Sequence, residues 1–417
     1  MLRFENQPSY SLGQRSPSHK EAGDGGNVTL VSQSTLGEIN RGRVLQALYD
    51  HGPKSRAELA RLAGVNRTTI TGIVQPMIEE GLLVEFDAVP SDFKGGKPAR
   101  PIYFNPEAPM LGAVLLLPGR IQTCLVTLSG EIKALTRAEF DPYGDRDVFL
   151  AILKDTLSAT LSQARQAPFG IGIASGGMID SDNGVILAVN LAPVLSGLPL
   201  VDILQRDFSL PVVIDHHPRA LLVGDRWFGP GRGQQTFAAI YTGEVLGGAF
   251  YIDGRVYRGL AGSGGELGHT VVQIDGELCN CGKHGCWETV AALPWLRREA
   301  ACLGMANSEG VTCARLVKEA AEGSKAADDL LDRYTRNVAF GILNLQQTLS
   351  LNSYLLHGDI AGGGADAAER VRQHVESLVR KRPNQEISIT VNGIGEGHTA
   401  LRGAAGLVLS SHLKLVI

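Results

Sequence analysis

Four residues between Gly264 and Glu288 constrain this chain more than any other stretch. In GGELGHTVVQIDGELCNCGKHGCWE, His269, Cys279, Cys281 and Cys286 form an H-x9-C-x-C-x4-C pattern. Borderline-soft nitrogen and sulfur donors, held close by a glycine-rich loop, suit a tetrahedral Zn2+. The alternative is thiols buried as small hydrophobes beside an incidental histidine. It fits less well with three cysteines inside eight residues beside Gly282 and Gly285. One His and three Cys leave no open coordination position, so the expected Zn2+ is structural and pins a loop.

The rest of the chain must form more than one core. At 417 residues it should divide into two or three domains. Its 44% hydrophobic residues, 20% charged residues and mean hydropathy of +0.02 are those of a soluble globular protein. Apolar runs such as Leu111 to Leu117 are too short to span a membrane, and the first residues lack an apolar signal core, so a cytoplasmic location is expected. Cys124, Cys302 and Cys313 are scattered without a disulfide-like framework. A net charge of −4 argues against indiscriminate polyanion binding, yet Thr35 to Ile78 carries six Lys/Arg against three acids. A modest basic footprint therefore sits on an acidic protein.

Residues 1–34, rich in Ser, Gly, Gln and Pro, read as a flexible tail. From Leu36 apolar residues recur at helical spacing as far as His51-Gly52-Pro53. A second helix starts at Ser55 with Glu58 three residues on, a capping box, and runs to Gly64. A third follows Asn66, with Ile70, Ile73, Val74, Met77 and Ile78 on one face and Arg67, Thr68, Thr71 and Gln75 facing outward. Two short helices joined by a tight turn make a helix-turn-helix, in which Arg suits guanine, Gln suits adenine and Thr suits a thymine methyl or a phosphate. Leu82 to Phe86, a basic loop at Gly95 to Pro101, and Ile102 to Phe104 read as strand, loop, strand: a wing whose Lys97 and Arg100 reach phosphates or a minor groove. The alternative is a small helical bundle with a solvated hairpin. The DNA-contact set expected is Arg56, Asn66, Arg67, Thr68, Thr69, Thr71, Gln75, Lys97 and Arg100. After a Pro-containing hinge at 105–109, strands and helices alternate in a chain with 51 glycines, which indicates an α/β architecture with tight loops.

Segments 40–83, 170–180, 215–229 and 264–288 together resemble the ROK family, in particular its members of the xylose-repressor and N-acetylglucosamine-repressor types. The resemblance implies an N-terminal winged helix-turn-helix, mainly α, at residues 35–105. It implies an α/β two-lobed actin-like ATPase body, sugar-kinase-like, at 110–417. The small lobe is expected at about 110–228 with the C-terminal helix at 398–417, and the large lobe at about 229–397. By the same resemblance Asn190, Glu266, His269 and Glu288 contact sugar hydroxyls, and His269 joins the pocket to the metal. Glu288 has an equally good reading as a helix N-terminal carboxylate.

The chain departs from the family's kinases where ATP and catalysis are concerned. The Asp-x-Gly-Gly-Thr phosphate loop corresponds to Val114 to Arg120, an apolar stretch with a proline. The second phosphate loop reads Thr242 to Gly248 and carries Glu244, which would repel a phosphate. The adenosine-side glycine cluster is altered to His357-Gly358-Asp359-Ile360. The family's Glu-Asn-Asp, whose Asp is the general base, reads Asp215-His216-His217. His216 and His217 either favour a differently substituted ligand or are tolerated at a site without catalytic demand.

The resulting expectation is a non-enzymatic, DNA-binding transcriptional repressor whose kinase-like body senses a sugar or sugar derivative and assembles as a homodimer or homotetramer on a double-stranded operator. The competing expectations are an ATP-dependent sugar kinase with an appended DNA-binding domain, and a regulator controlled by a protein partner without a small ligand.

Overall fold

A computed structural model of the chain describes residues 33–87, 99–259, 262, 264–380 and 386–413. The expected tail lies almost wholly outside the described residues, as does Lys97.

The N-terminal unit contains α1 (Gln33–His51), β1 (Lys54–Ser55), α2 (Arg56–Ala63), α3 (Arg67–Glu79), β2 (Leu83–Glu85) and β3 (Pro101–Phe104). Ser55 caps α2 reciprocally with Glu58, whose Oε2 accepts the Ser55 N–H at 2.9 Å. The helix stops at Gly64 in the left-handed region, φ 68°, which turns the chain toward α3. Asn66 Oδ1 then accepts the Thr69 N–H at 2.7 Å and starts α3, which runs through Pro76 to Glu79. Val44, Leu45, Leu48, Leu59, Ile70, Val74, Met77, Ile102 and Phe104 are buried together, and β3 pairs antiparallel with both β1 and β2.

The body begins with β4 (Leu111–Leu117), β5 (Arg120–Val126), β6 (Ile132–Glu139), α4 (Arg146–Leu161), β7 (Ile171–Ser175), β8 (Met178–Asp180), β9 (Val185–Ala188), α5 (Leu200–Phe208), β10 (Val212–His216) and α6 (His217–Phe228). These strands form a sheet of order β10-β7-β4-β5-β6, with β10, β7 and β4 parallel and the last two antiparallel. The continuously apolar β4 is central and buried, as a strand covered on both faces must be.

A second sheet, β13-β12-β11-β14-β15, is built from β11 (Phe237–Thr242), β12 (Leu246–Ile252), β13 (Arg255–Val256), α7 (Glu288–Ala291), α8 (Leu293–Cys302), α9 (Cys313–Ala321), α10 (Lys325–Leu349), β14 (Ser353–Gly358), α11 (Asp359–Gly362), α12 (Gly364–Leu378) and β15 (Ser388–Val391) with their covering helices. The closing α13 (Glu396–Leu413) returns to the first sheet, where Gly172 in β7 leaves no room for a Cβ against the Ala404 carbonyl.

Between the sheets lies α6, all twelve residues of which are buried. It packs backbone to backbone on α13: a Cβ on Gly403 would stand 1.7 Å from Ala220 O, and one on Gly224 would stand 2.2 Å from Thr399 O. A helix buried all round has no polar face to reveal its period. Among the described residues no helix is long and apolar enough to cross a membrane.

Candidate functional site

A cavity of about 290 Å³ opens between the two sheets. The β4–β5 turn supplies Leu117, Pro118 and Arg120; the loop after β7 supplies Gly176 and Gly177; the stretch after β9 supplies Val189, Asn190 and Leu191. The junction of β10 and α6 adds His216, His217 and Pro218, and the β11–β12 connection adds Tyr241, Glu244 and Gly247. Glu266, His269 and Glu288 complete the wall. All six residues expected to meet a ligand (Asn190, His216, His217, Glu266, His269 and Glu288) thus face one space, although 98 residues separate the first from the last. Apolar walls with a few directed polar groups are the usual construction of a small-molecule site.

Burial, with Arg219 nearby, pushes His216 down to about 3, so its imidazole is neutral at any ordinary pH. His217 stands edge-on to the Tyr241 ring at 5.0 Å, and its Nε2 lies 3.2 Å from Glu396 Oε1. Burial would raise the Glu396 carboxyl, but the His217 contact outweighs it and holds the group below the usual range. Glu288 opens α7; its Oε2 accepts the Leu246 N–H at 3.1 Å and its Oε1 lies 3.8 Å from Cys279 Sγ, so this carboxylate ties β12 to the cysteine cluster at the cavity wall.

Asp215, the first residue of the Asp-His-His triplet, is buried and does not enter the cavity wall. It accepts from Arg219 Nη1 at 2.6 Å, Arg258 Nη2 at 3.0 Å and Ser181 Oγ at 3.0 Å. Burial would raise its carboxyl, and the two guanidinium groups hold it below the usual carboxylate range. Arg219 also donates to the carbonyls of Gly262 and Gly264, two residues ahead of Glu266. This clasp ties β10 to the chain after β13, joining the two lobes beside the cavity. Spacing gave no hint of the link between lobes, because Arg258 lies 43 residues from Asp215.

Behind the cavity wall, His269 Nδ1 lies 3.5 Å from Cys279 Sγ, and Cys281 Sγ lies 3.5 Å from Cys286 Sγ. The ligand atoms of all four residues fall within 4.8 Å of one another. Donors of a tetrahedral zinc lie about 3.8 Å apart when all are thiolates, so this set can hold a metal ion. The loop geometry is imposed by backbone: Cys279 N donates to Lys283 O at 2.8 Å, and Gly285, at φ 69°, would place a Cβ 1.5 Å from Gln273 O. His269 thereby belongs to both the cluster and the cavity.

The stretches that the resemblance sets against the kinases' nucleotide loops make definite contacts here. Leu117 to Arg120 forms a tight β4–β5 turn with Gly119 at φ 75°. Glu244 pairs with Arg297 at 2.9 Å, and Gly243 O accepts the Leu293 N–H of α8 at 2.8 Å. Thr242 Oγ1 accepts from Tyr334 Oη at 3.0 Å and from Ile360 N at 2.9 Å. Asp359 accepts from Cys313 N at 3.1 Å, and burial pushes its carboxyl up to about 6.

On the N-terminal unit, Arg67, Thr68, Thr71, Gln75 and Arg100 are exposed and Thr69 is half-buried. Arg56 pairs with Glu85 and reaches Gln75 Oε1 at 3.3 Å, so this pair buttresses α3 against β2. Asn66 spends its side-chain oxygen on the α3 cap. The unit docks on the body through α1: Arg226 holds Asp50 with two hydrogen bonds of 2.5 and 3.2 Å, and Tyr49 packs edge-on to Trp227 at 4.6 Å while its hydroxyl donates to Leu128 O at 2.7 Å. Neither Tyr49 nor Arg226 stood out in the sequence.

Comparison with known proteins adds independent findings. The model of the ROK family matches residues 119–411. The xylose repressor of Caldicellulosiruptor bescii is 27% identical over 404 residues, covering 93% of this chain and 98% of that protein. A solved ROK family transcriptional regulator, a homologue of the E. coli MLC protein, superposes with a TM-score of 0.74 at 23% identity, covering 91% of this chain and 99% of that one. A ROK glucokinase from Streptomyces griseus, solved with glucose and AMPPNP, gives a TM-score of 0.63 at 23% identity and covers 72% of this chain and 98% of its own. At these identities the solved structures speak for the fold.

Proposed function

Because the chain belongs to the ROK family, we propose that it is a DNA-binding transcriptional repressor whose sugar-kinase-like body binds a sugar effector and does not phosphorylate it. One observation carries this reading: a helix-turn-helix unit with an exposed Arg67, Thr68, Thr71 and Gln75 precedes a cavity that keeps Glu266, His269 and Glu288 but presents His217, not a carboxylate, at the general-base position of the family's kinases. Similarity to a xylose repressor along nearly the whole of both chains supports the same conclusion.

The winged helix-turn-helix comprises α2, α3 and the β2–β3 hairpin. Arg67, Thr68, Thr69 and Thr71, near the start of α3, read bases and phosphates in the major groove, with Gln75 one turn further on. Arg100, with Lys97, follows the backbone from the wing. Arg56 and Asn66 belong to the contact set through their placement of α3. Two such units are needed for paired half-sites, so the working assembly is a homodimer or a dimer of dimers.

A Zn2+ held by His269, Cys279, Cys281 and Cys286 supplies a fold, not a reaction: it fixes the loop that aims Glu266 and His269 at the sugar. The cavity then acts by linkage. A sugar that favours one arrangement of the lobes changes the placement of the DNA-binding unit and hence operator affinity. The family's kinases use a carboxylate base at the position of His217 and two loops open to phosphates. His217 instead contacts Glu396, and Glu244 is a carboxylate in the second loop.

Calorimetry with D-xylose and D-glucose, paired with a coupled ADP-release assay on the same samples, tests this directly. Saturable sugar binding without ADP release is the expected result. ADP release that depends on both sugar and ATP would establish a kinase instead.

A further inference from the structure

Helix α6 both lines the cavity and touches the DNA-binding unit. His217 and Pro218 at its start, with the preceding His216, form part of the cavity wall, while Arg226, Trp227 and Phe228 at its end receive Asp50 and Tyr49 of α1. Twelve helical residues span about 18 Å. The helix cannot absorb a displacement by bending or by side-chain rearrangement into solvent, because every residue in it is buried and its backbone lies directly on α13 at Ala220 and Gly224. The two helices are joined again at the cavity, where His217 meets Glu396 of α13.

The far end is equally constrained. Arg226 is 2% exposed; its guanidinium pairs with Asp50 through two hydrogen bonds and lies 5.5 Å from the centre of the Tyr251 ring, while Gly233 N adds a further bond to Asp50 at 3.2 Å. Tyr49 wedges between Phe104 of its own unit and Trp227 and Phe228 of α6, with ring separations of 4.3, 4.6 and 5.7 Å. The β5–β6 turn closes over the same place: Gly130 lies so close to the Phe228 ring that a Cβ would overlap it, and Leu128 O takes the Tyr49 hydroxyl. A buried charge pair and interlocked rings favour discrete arrangements over graded ones, as a switch requires.

We propose that α6 is the link between sensing and DNA binding: occupancy of the cavity is read at His216, His217 and Pro218 and delivered to α1 through the Arg226–Asp50 pair and the Tyr49–Trp227 contact. This rests on the reading of the protein as a sugar-responsive DNA-binding protein. It goes beyond that reading by naming the element that couples the two activities and the contact at which they can be separated.

The test compares the full-length parent with the double variant Asp50→Leu, Arg226→Met, which replaces the charge pair by apolar groups and leaves no buried ion behind. Neither residue lines the cavity or belongs to the DNA-contact set. Affinity for a duplex selected from a random pool is measured by fluorescence anisotropy with and without D-xylose and D-glucose, and sugar affinity is measured separately by calorimetry. In the parent, sugar shifts DNA affinity by about fivefold or more. In the double variant, sugar affinity and sugar-free DNA affinity stay within about threefold of the parent, and the sugar-induced shift falls below about twofold. Trp227→Phe, which weakens the Tyr49 contact and leaves the Arg226–Asp50 pair in place, is read in the same way should the double variant not fold. A parent that responds and variants that respond equally would overturn the link while leaving the sensing function intact. A parent that binds DNA but responds to no sugar would overturn the sensing function, and the link with it.

Discussion

Arg67 carries the clearest single-residue consequence. It is exposed on the first turn of α3, beyond the Asn66 cap, where the proposed recognition helix would bring a guanidinium to base edges. Arg67→Ala is expected to cost ~1 to 3 kcal/mol of specific binding and to relax preference at one base pair, measured by anisotropy on selected and scrambled duplexes. Arg100→Ala should weaken both duplexes alike and reduce the salt dependence by about one counterion. Asp359 gives a pH-dependent test of the altered nucleotide region. Burial raises its carboxyl to about 6, so the folded chain holds a proton that the unfolded chain releases near pH 4. Its contribution is therefore most favourable below about pH 4 and declines as pH rises through about 6. Asp359→Asn should leave stability nearly unchanged at pH 4 and raise it by roughly 2 kcal/mol at pH 8, as read from urea denaturation of both proteins. At this scale the cavity residues were legible because the family resemblance located them. Arg226 was not: its partner Asp50 lies 176 residues away, and no local pattern connects them.

The metal loop and α6 represent opposite extremes among the elements. Residues 264–288 announce themselves because donor spacing and glycines are local properties, and four ligand atoms within 4.8 Å are what that spacing implied. Metal analysis of purified protein should give about one zinc per chain. Cys286→Ala should lower both the thermal midpoint and sugar affinity, since His269 serves the cluster and the cavity together. Loss of zinc with unchanged sugar affinity would separate the two. The capping box of α2 was equally readable, and Ser55→Ala should cost about 1 kcal/mol in denaturation of the full chain. By contrast α6, HPRALLVGDRWF, holds Arg219, Asp225 and Arg226 in a wholly buried helix, so its charges misrepresent its environment. Arg226 and Asp225 find their partners far along the chain, Arg226 in Asp50 and Asp225 in His357 Nε2 at 2.7 Å and Asn392 Nδ2 at 2.8 Å, while Arg219 joins Asp215, four residues before it, to the distant carbonyls of Gly262 and Gly264.

For the molecule as a whole, the two sheets, the cavity between them and the helical unit in front form a chain of dependence. The metal loop and the Asp215–Arg219–Arg258 clasp set the cavity, α6 carries the cavity's state across the body, and α1 receives it. The fold class followed from strand–helix alternation and from resemblance, whereas the relative placement of the lobes depends on contacts that sequence does not display. The central claim is that this assembly reads DNA under the control of a sugar. Selection of bound duplexes from a random pool, run in parallel with and without D-xylose, tests it most directly. The account predicts enrichment of a repeated half-site with centres about one helical turn apart, or a multiple of that, and a change in the yield of that sequence when sugar is present. Recovered duplexes with no more sequence in common than the starting pool would contradict it.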